Sequence, residues 1–243
     1  MLVAPLALVA TIVALAPSTA SATGLGYALS YTSLPNGTKP VVRWNPCQSA
    51  ITYKVNLADV PTAMRPTILS ETQATVGRLA AYTGMAFSYR GSTTEVPHVG
   101  SMPTQSAELV IAYTTPAKTN YYLWGSTVGE GGLYYSWSSV TVSGRTTYSE
   151  AAQRGFVVID TPQMLAQLSG GFGAGTRRAN LLMHELGHAV GLQHVTDASQ
   201  AMYPSLMSSA PNLGNWGDRA GLSRVGRSAG CIDTSHLRLA DLR

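Results

Sequence analysis

His184, Glu185, His188, Gly191 and His194 carry the strongest chemical signal in the chain. In a helix, residues four apart lie on one face about one turn apart, so His184 and His188 can aim two imidazoles at one ion. Glu185 projects to one side of that pair, where it could reach a water on the ion. Gly191 readily takes the left-handed conformation that closes a helix, and a turn there brings His194 round as a third ligand. Three protein ligands leave a fourth position open, the arrangement of a catalytic zinc rather than a structural one. A carboxylate beside a zinc-activated water is placed to act as general base in a hydrolysis.

These side chains need a helix with one face in the core. The pattern predicts that helix over residues 176–190, with Leu181, Leu182, Leu186 and Val190 inward and the histidines toward a cleft. Upstream, alternation predicts a strand over 51–56. A helix follows over 61–82, with Pro66 in its first turn, Gly84 just past its end, and Val60, Met64, Ile68, Thr72, Val76 and Leu79 on one side. Strands are expected at 85–90, at 108–114 (an apolar, β-branched run) and at 155–160. Residues 161–168 read as a short helix capped by Thr161 with Pro162 at its first position. Glycine-rich loops are expected at 125–132 and 169–175, surface connections at 95–105 and 205–217, and a frayed tail at 232–243.

The spaced histidines and Gly191, with Met202-Tyr203-Pro204 eight residues after His194, resemble the metzincin metalloproteases and most nearly their matrixin branch. The resemblance implies an α+β zincin domain over residues 47–243: a mixed, twisted sheet, a long helix, an active-site helix and a small C-terminal subdomain. It implies one catalytic zinc on His184, His188 and His194, with Glu185 as general base. Met202 then lies in a turn beneath the metal without binding it. Other branches place a tyrosine ligand where this chain has Pro204, so no tyrosine ligand is expected. Asp218-x-x-Gly221-Leu222 resembles the matrixin C-terminal helix. By the same resemblance Leu133, Tyr134 and Tyr135 belong to a sheet edge that frames the cleft and takes substrate as an added antiparallel strand. An ordinary hairpin with aromatic cross-strand pairs is the alternative for that stretch. Val195 stands where matrixins carry serine or threonine, with Asp197 two places later. The paired histidines of the matrixin structural zinc are not recognisable, nor is a convincing calcium loop, and calcium stays open.

Cys47 and Cys231 are the two cysteines of 243 residues, and an even count in an exported chain predicts one disulfide. The alternative, an inhibitory thiolate as in matrixin zymogens, lacks its flanking arginine and aspartate in Asn45-Pro46-Cys47-Gln48. Export is read from residues 1–22, where an apolar run over 2–16 is followed by the small-residue site Ala20-Ser21-Ala22, which has the form of a signal peptide but no preceding Lys or Arg. The run is shorter than the ~20 residues that span a bilayer, and no stable membrane association is expected once it is removed. Residues 23–46 read as an irregular or hairpin-bearing lead-in with a tight turn at Asn36-Gly37. Apolar content is 45%, enough for a packed core, while charged residues make up only 12%. Net charge is +4 without basic runs interleaved with aromatics, which argues against nucleic-acid binding. His98 and His236 read as surface histidines. The expected partner is a protein or peptide substrate, cleaved by a monomeric secreted enzyme. Two other classes remain open: a zinc-bound, non-proteolytic secreted protein and a zinc amidase acting on cell-wall material.

Overall fold

The computed structural model describes residues 11–15, 26–209 and 213–237, the first stretch as backbone alone. Its main sheet is mixed, in the order β1-β6-β7-β5-β3-β4. β3 (Ile51–Asn56) lies between β4 (Phe87–Ser92) and β5 (Leu109–Thr114), parallel to both, and β5 pairs in parallel with β7 (Arg145–Asp160). β6 (Gly129–Val142) runs antiparallel to β7. A two-residue turn at Ser143 and Gly144, both at positive φ, joins them, as a tight hairpin requires. β1 (Thr11–Leu15) pairs antiparallel with the outer side of β6, from Thr11 opposite Trp137 to Leu15 opposite Leu133. The remainder of the leader, 1–10 and 16–22, lies outside the described residues.

The long helix α1 (Arg65–Thr83) links the parallel strands β3 and β4. Ile68, Thr72, Val76 and Leu79 are buried along one side, and Gly84 ends the helix in the left-handed conformation at φ 68°. Thr72, Thr75 and Thr83 are tolerated inside because each hydroxyl donates to the carbonyl four residues back. α1 and α3 (Arg178–Ala189) pack together, and α3 also lies against β6 and β7. Sheet alternation divides the apolar side chains. Leu133, Tyr135, Val157 and Ile159 join the helices in the main core, whereas Tyr134, Phe156 and Val158 pack with Tyr121 and Leu123 on the opposite face.

Three sequence expectations change. The glycine run at 125–132 is not all loop, because β6 begins at Gly129. β7 extends ten residues before the expected start at 155, since its hairpin with β6 reaches past the end of β5. The short helix α2 (Thr161–Gln167) is capped by Asp160, whose carboxylate accepts from the Gln163 N–H, and not by Thr161. The lead-in is a hairpin: Tyr31 pairs with Val41 around Asn36-Gly37, and β2 (Ala28–Leu29) pairs antiparallel with β8 (Leu192–Gln193). Cys47 and Cys231 form a disulfide across 184 residues. No helix among the described residues is long and apolar enough to cross a membrane.

Candidate metal centre

α3 carries His184, Glu185 and His188, and all three are buried. Its first turn is fixed by Arg178, which makes two hydrogen bonds of 2.9 and 3.0 Å to Glu71 of α1. Such a planar, two-point pair sets orientation as well as distance. At the other end Trp44 donates its indole N–H to the Ala189 carbonyl at 2.8 Å, satisfying an otherwise orphaned acceptor of the last turn. The chain then turns at Gly191, with φ 109°, where a Cβ would lie 2.5 Å from the Val42 carbonyl oxygen. β8 follows, held by the lead-in strand β2, and delivers His194.

The three Nε2 atoms converge. His184 to His194 and His188 to His194 are each 3.1 Å, and His188 to His184 is 3.2 Å. Nδ1 of His184 lies 2.7 Å from the Ala201 carbonyl oxygen and Nδ1 of His188 lies 2.9 Å from that of Leu192. A carbonyl can only accept, so each Nδ1 must donate, and each neutral ring then presents a bare Nε2 lone pair to the other two. Burial holds all three imidazoles below their ordinary range. For His184 the value falls to about 4, and His188 lies well below the ordinary value, with the neighbouring histidines adding to the effect. Lone pairs packed this closely, on rings that resist protonation, call for a cation. The separations approach the roughly 3.3 Å expected for nitrogens about 2.0 Å from one tetrahedral zinc.

Met202 packs beneath the helix at Gly187, where an added Cβ would meet its sulfur at 2.4 Å. Val195 is buried, and its N–H donates to the Met202 carbonyl, joining the His194 segment to the methionine turn. Asp197 accepts from the Ser199 N–H and from the Gln200 side chain. Two contributors were not singled out from sequence. Asp218 of α4 (Trp216–Val225) is buried, and its carboxylate accepts from the Ala201 N–H at 2.9 Å. Ala201 is the residue whose carbonyl orients His184, so Asp218 steadies that imidazole through one residue. Its helix was visible from the Asp-x-x-Gly pattern, but its contact was not.

The second omission is the glycine tract. A Cβ on Gly131 would fall 2.1 Å from the Glu185 carbonyl oxygen, and one on Gly129 would fall 2.9 Å from the Glu185 carboxylate. Strand β6 therefore lies directly against Glu185. Burial pushes the Glu185 carboxyl up to about 8, nearby Glu130 adds to this, and the Gly131 N–H opposes it. The closely spaced glycines were the available signal. Leu133, Tyr134 and Tyr135 continue the same strand, and their outer side carries β1. His98 and His236 are exposed and take no part in the cluster.

A family profile described as matrixin, a peptidase family, matches residues 44–224, about three quarters of the chain. The chain belongs to the matrixin family. Matrixins are zinc metallopeptidases, and the histidine cluster of this matrixin supplies a ligand set that fits catalytic zinc. The mixed sheet and helices agree with that fold. No curated protein matches the sequence.

Proposed function

We propose that this matrixin is a secreted, monomeric endopeptidase, with zinc held by His184, His188 and His194 and with Glu185 as the general base. The observation that carries the reading is the triangle of Nε2 atoms, beside a buried carboxyl whose proton affinity lies near neutrality. When bound, zinc supplies Lewis acidity to a water and to the scissile carbonyl, and its charge draws Glu185 back toward the carboxylate. Glu185 takes a proton from the attacking water and returns it to the leaving amine. The Gly131 N–H holds that carboxylate from one side. Met202 and Asp218 keep the rings in place without touching the substrate.

The substrate is an extended peptide laid antiparallel along Leu133, Tyr134 and Tyr135. The pairing of β1 with that strand supports this, because β1 lies along the outer side of β6 as an added antiparallel strand. Cleavage of the leader after Ala22 would remove β1 and free the position. The disulfide suits an oxidising, extracellular destination.

The test is casein or gelatin digestion by wild type and Glu185→Ala, each with zinc content measured. Cleavage by wild type, its loss in Glu185→Ala with zinc retained, and its loss on chelation are expected. Zinc binding without cleavage of any peptide would leave the binding-protein or cell-wall amidase readings. Persistent cleavage by Glu185→Ala would mean that the base is misassigned.

A further inference from the structure

The far half of the β6–β7 hairpin has a second open edge. β5 pairs with β7 only from Gly155 to Asp160. Before that, the side of β7 facing away from β6 meets the lead-in where the Ala152 N–H donates to the Arg43 carbonyl at 2.9 Å. This bond fixes the phase of the edge. Outward-facing backbone groups recur every second residue in an antiparallel strand, so those of Glu150, Tyr148 and Thr146 also face away from β6. The turn agrees, because Thr146 and Thr141 join hydroxyls at 2.9 Å, as side chains do across a pair that exchanges no backbone bonds. Among the described residues nothing bonds to the outward N–H and C=O groups of these three positions.

The lead-in diverges from β7 beyond Arg43, and the gap is a groove of about 1040 Å³, bounded on its third side by the end of α4 and the residues after it. This lies at the upper end of the size of ligand pockets. Its walls carry Lys39, Arg43, Arg145 and Arg224 against the acids Glu150 and Asp233. Glu150 is 7% exposed, and neither of its carboxyl oxygens has a hydrogen-bond partner. Burial pushes that carboxyl up to about 8 against the pull of Arg43, so it is largely uncharged at neutral pH and the groove is cationic. None of these residues belongs to the histidine site.

We propose that the 146–150 edge of β7 and the basic groove beside it dock an extended peptide segment rich in Asp and Glu, as an added strand. The outward N–H and C=O groups supply the backbone bonds, and the four cations select the side chains. The occupant is thus an acidic stretch of a protein substrate, bound apart from the bond to be cut, an assignment that rests on the peptidase reading above.

The experiment uses the full chain carrying Glu185→Ala and a fluorescein-labelled octapeptide alternating Glu or Asp with Thr or Val, read by anisotropy. Saturable binding in the micromolar range is expected. The double variant Arg145→Glu with Arg224→Glu weakens it by about tenfold or more. Tyr148→Pro, which removes one outward N–H from an edge position, does so as well. A probe N-methylated at alternate residues loses the same affinity on unaltered protein, so the strand requirement does not depend on the folding of the proline variant. Loss on charge reversal with no effect of N-methylation or of Tyr148→Pro would make the groove a general polyanion surface and overturn the proposal. So would the absence of binding, indifference to charge reversal, or sedimentation showing that the edge instead joins two copies of the chain.

Discussion

Gly131→Ala should disable the enzyme while leaving its metal ligands untouched. The new Cβ would lie 2.1 Å from the Glu185 carbonyl oxygen and 2.7 Å from its carbonyl carbon, where ordinary contact begins at 3.4 Å. The obstacle is helix backbone, so β6 must move off α3 by about 1.3 Å, the difference between 3.4 and 2.1 Å. Overpacking of this kind costs about 1–3 kcal/mol of stability. The same displacement carries the Gly131 N–H away from the Glu185 carboxylate and tilts the proposed substrate edge. A misplacement of about 1 Å near reacting groups costs on the order of 100-fold in rate, or about 2.7 kcal/mol. Gly187→Ala is the matched control. Its Cβ would meet Met202 Sδ at 2.4 Å, but that atom lies at the end of a flexible thioether that can swing aside. Alanine also favours the helix by about 1 kcal/mol over glycine. The assay is kcat/KM on a quenched fluorescent peptide, with zinc content and thermal midpoint measured in parallel. Expected are a loss near 100-fold for Gly131→Ala, under about tenfold for Gly187→Ala, and full zinc in both. Activity of Gly131→Ala within about threefold of wild type, or a larger loss for Gly187→Ala, would refute the close-approach argument.

Asp218→Ala should lower zinc affinity by about 10- to 100-fold in a competitive chelator titration, because the Ala201 unit that orients His184 loses its anchor. Glu150 makes stability depend on pH. Its folded value, about 8, lies above the ordinary 4.5, so its unfavourable contribution is absent below 4.5 and grows as pH rises to 8. Glu150→Gln should therefore gain on wild type in unfolding free energy across that window, by at most about 5 kcal/mol at its upper end, and a constant difference in denaturant unfolding would contradict the assignment. Replacing Cys47 and Cys231 by serine should cost about 2–5 kcal/mol in denaturant unfolding, near the upper limit for so long a loop.

The histidine cluster was legible because its members are local. His184 and His188 lie four positions apart, about one helical turn, and Gly191 marks where the helix must stop. Strand β3 was read over its full length, 51–56, because alternation and burial agree there. What escaped depends on contacts distant in sequence. Gly129 and Gly131 resemble loop residues until the strand is laid against Glu185, at which point the missing side chains become a packing requirement. Thr161 looked like a cap because the carboxylate of Asp160 could not be told from the end of a strand. The length of β7 was hidden because its first ten residues have one strand neighbour instead of two, and their polar alternation is weak. The lead-in seemed incidental, yet β2 aligns the segment that presents His194. Its role follows from pairing across more than 160 residues, which no local pattern reports.

The disulfide has a bearing on survival as well as on folding. Cys47 precedes β3 and Cys231 follows α4, so the parallel strands, both long helices and the three clustered histidines lie inside the covalent ring. A peptidase at high concentration meets copies of itself, and loops such as 115–128 or 169–175 offer sites for a first cut. One cut inside the ring opens it without releasing a fragment. The two pieces remain tethered at high effective concentration and can stay paired across the sheet. Nicked enzyme should then migrate as one species without reductant and as two with it, and keep its activity until the thiols are freed.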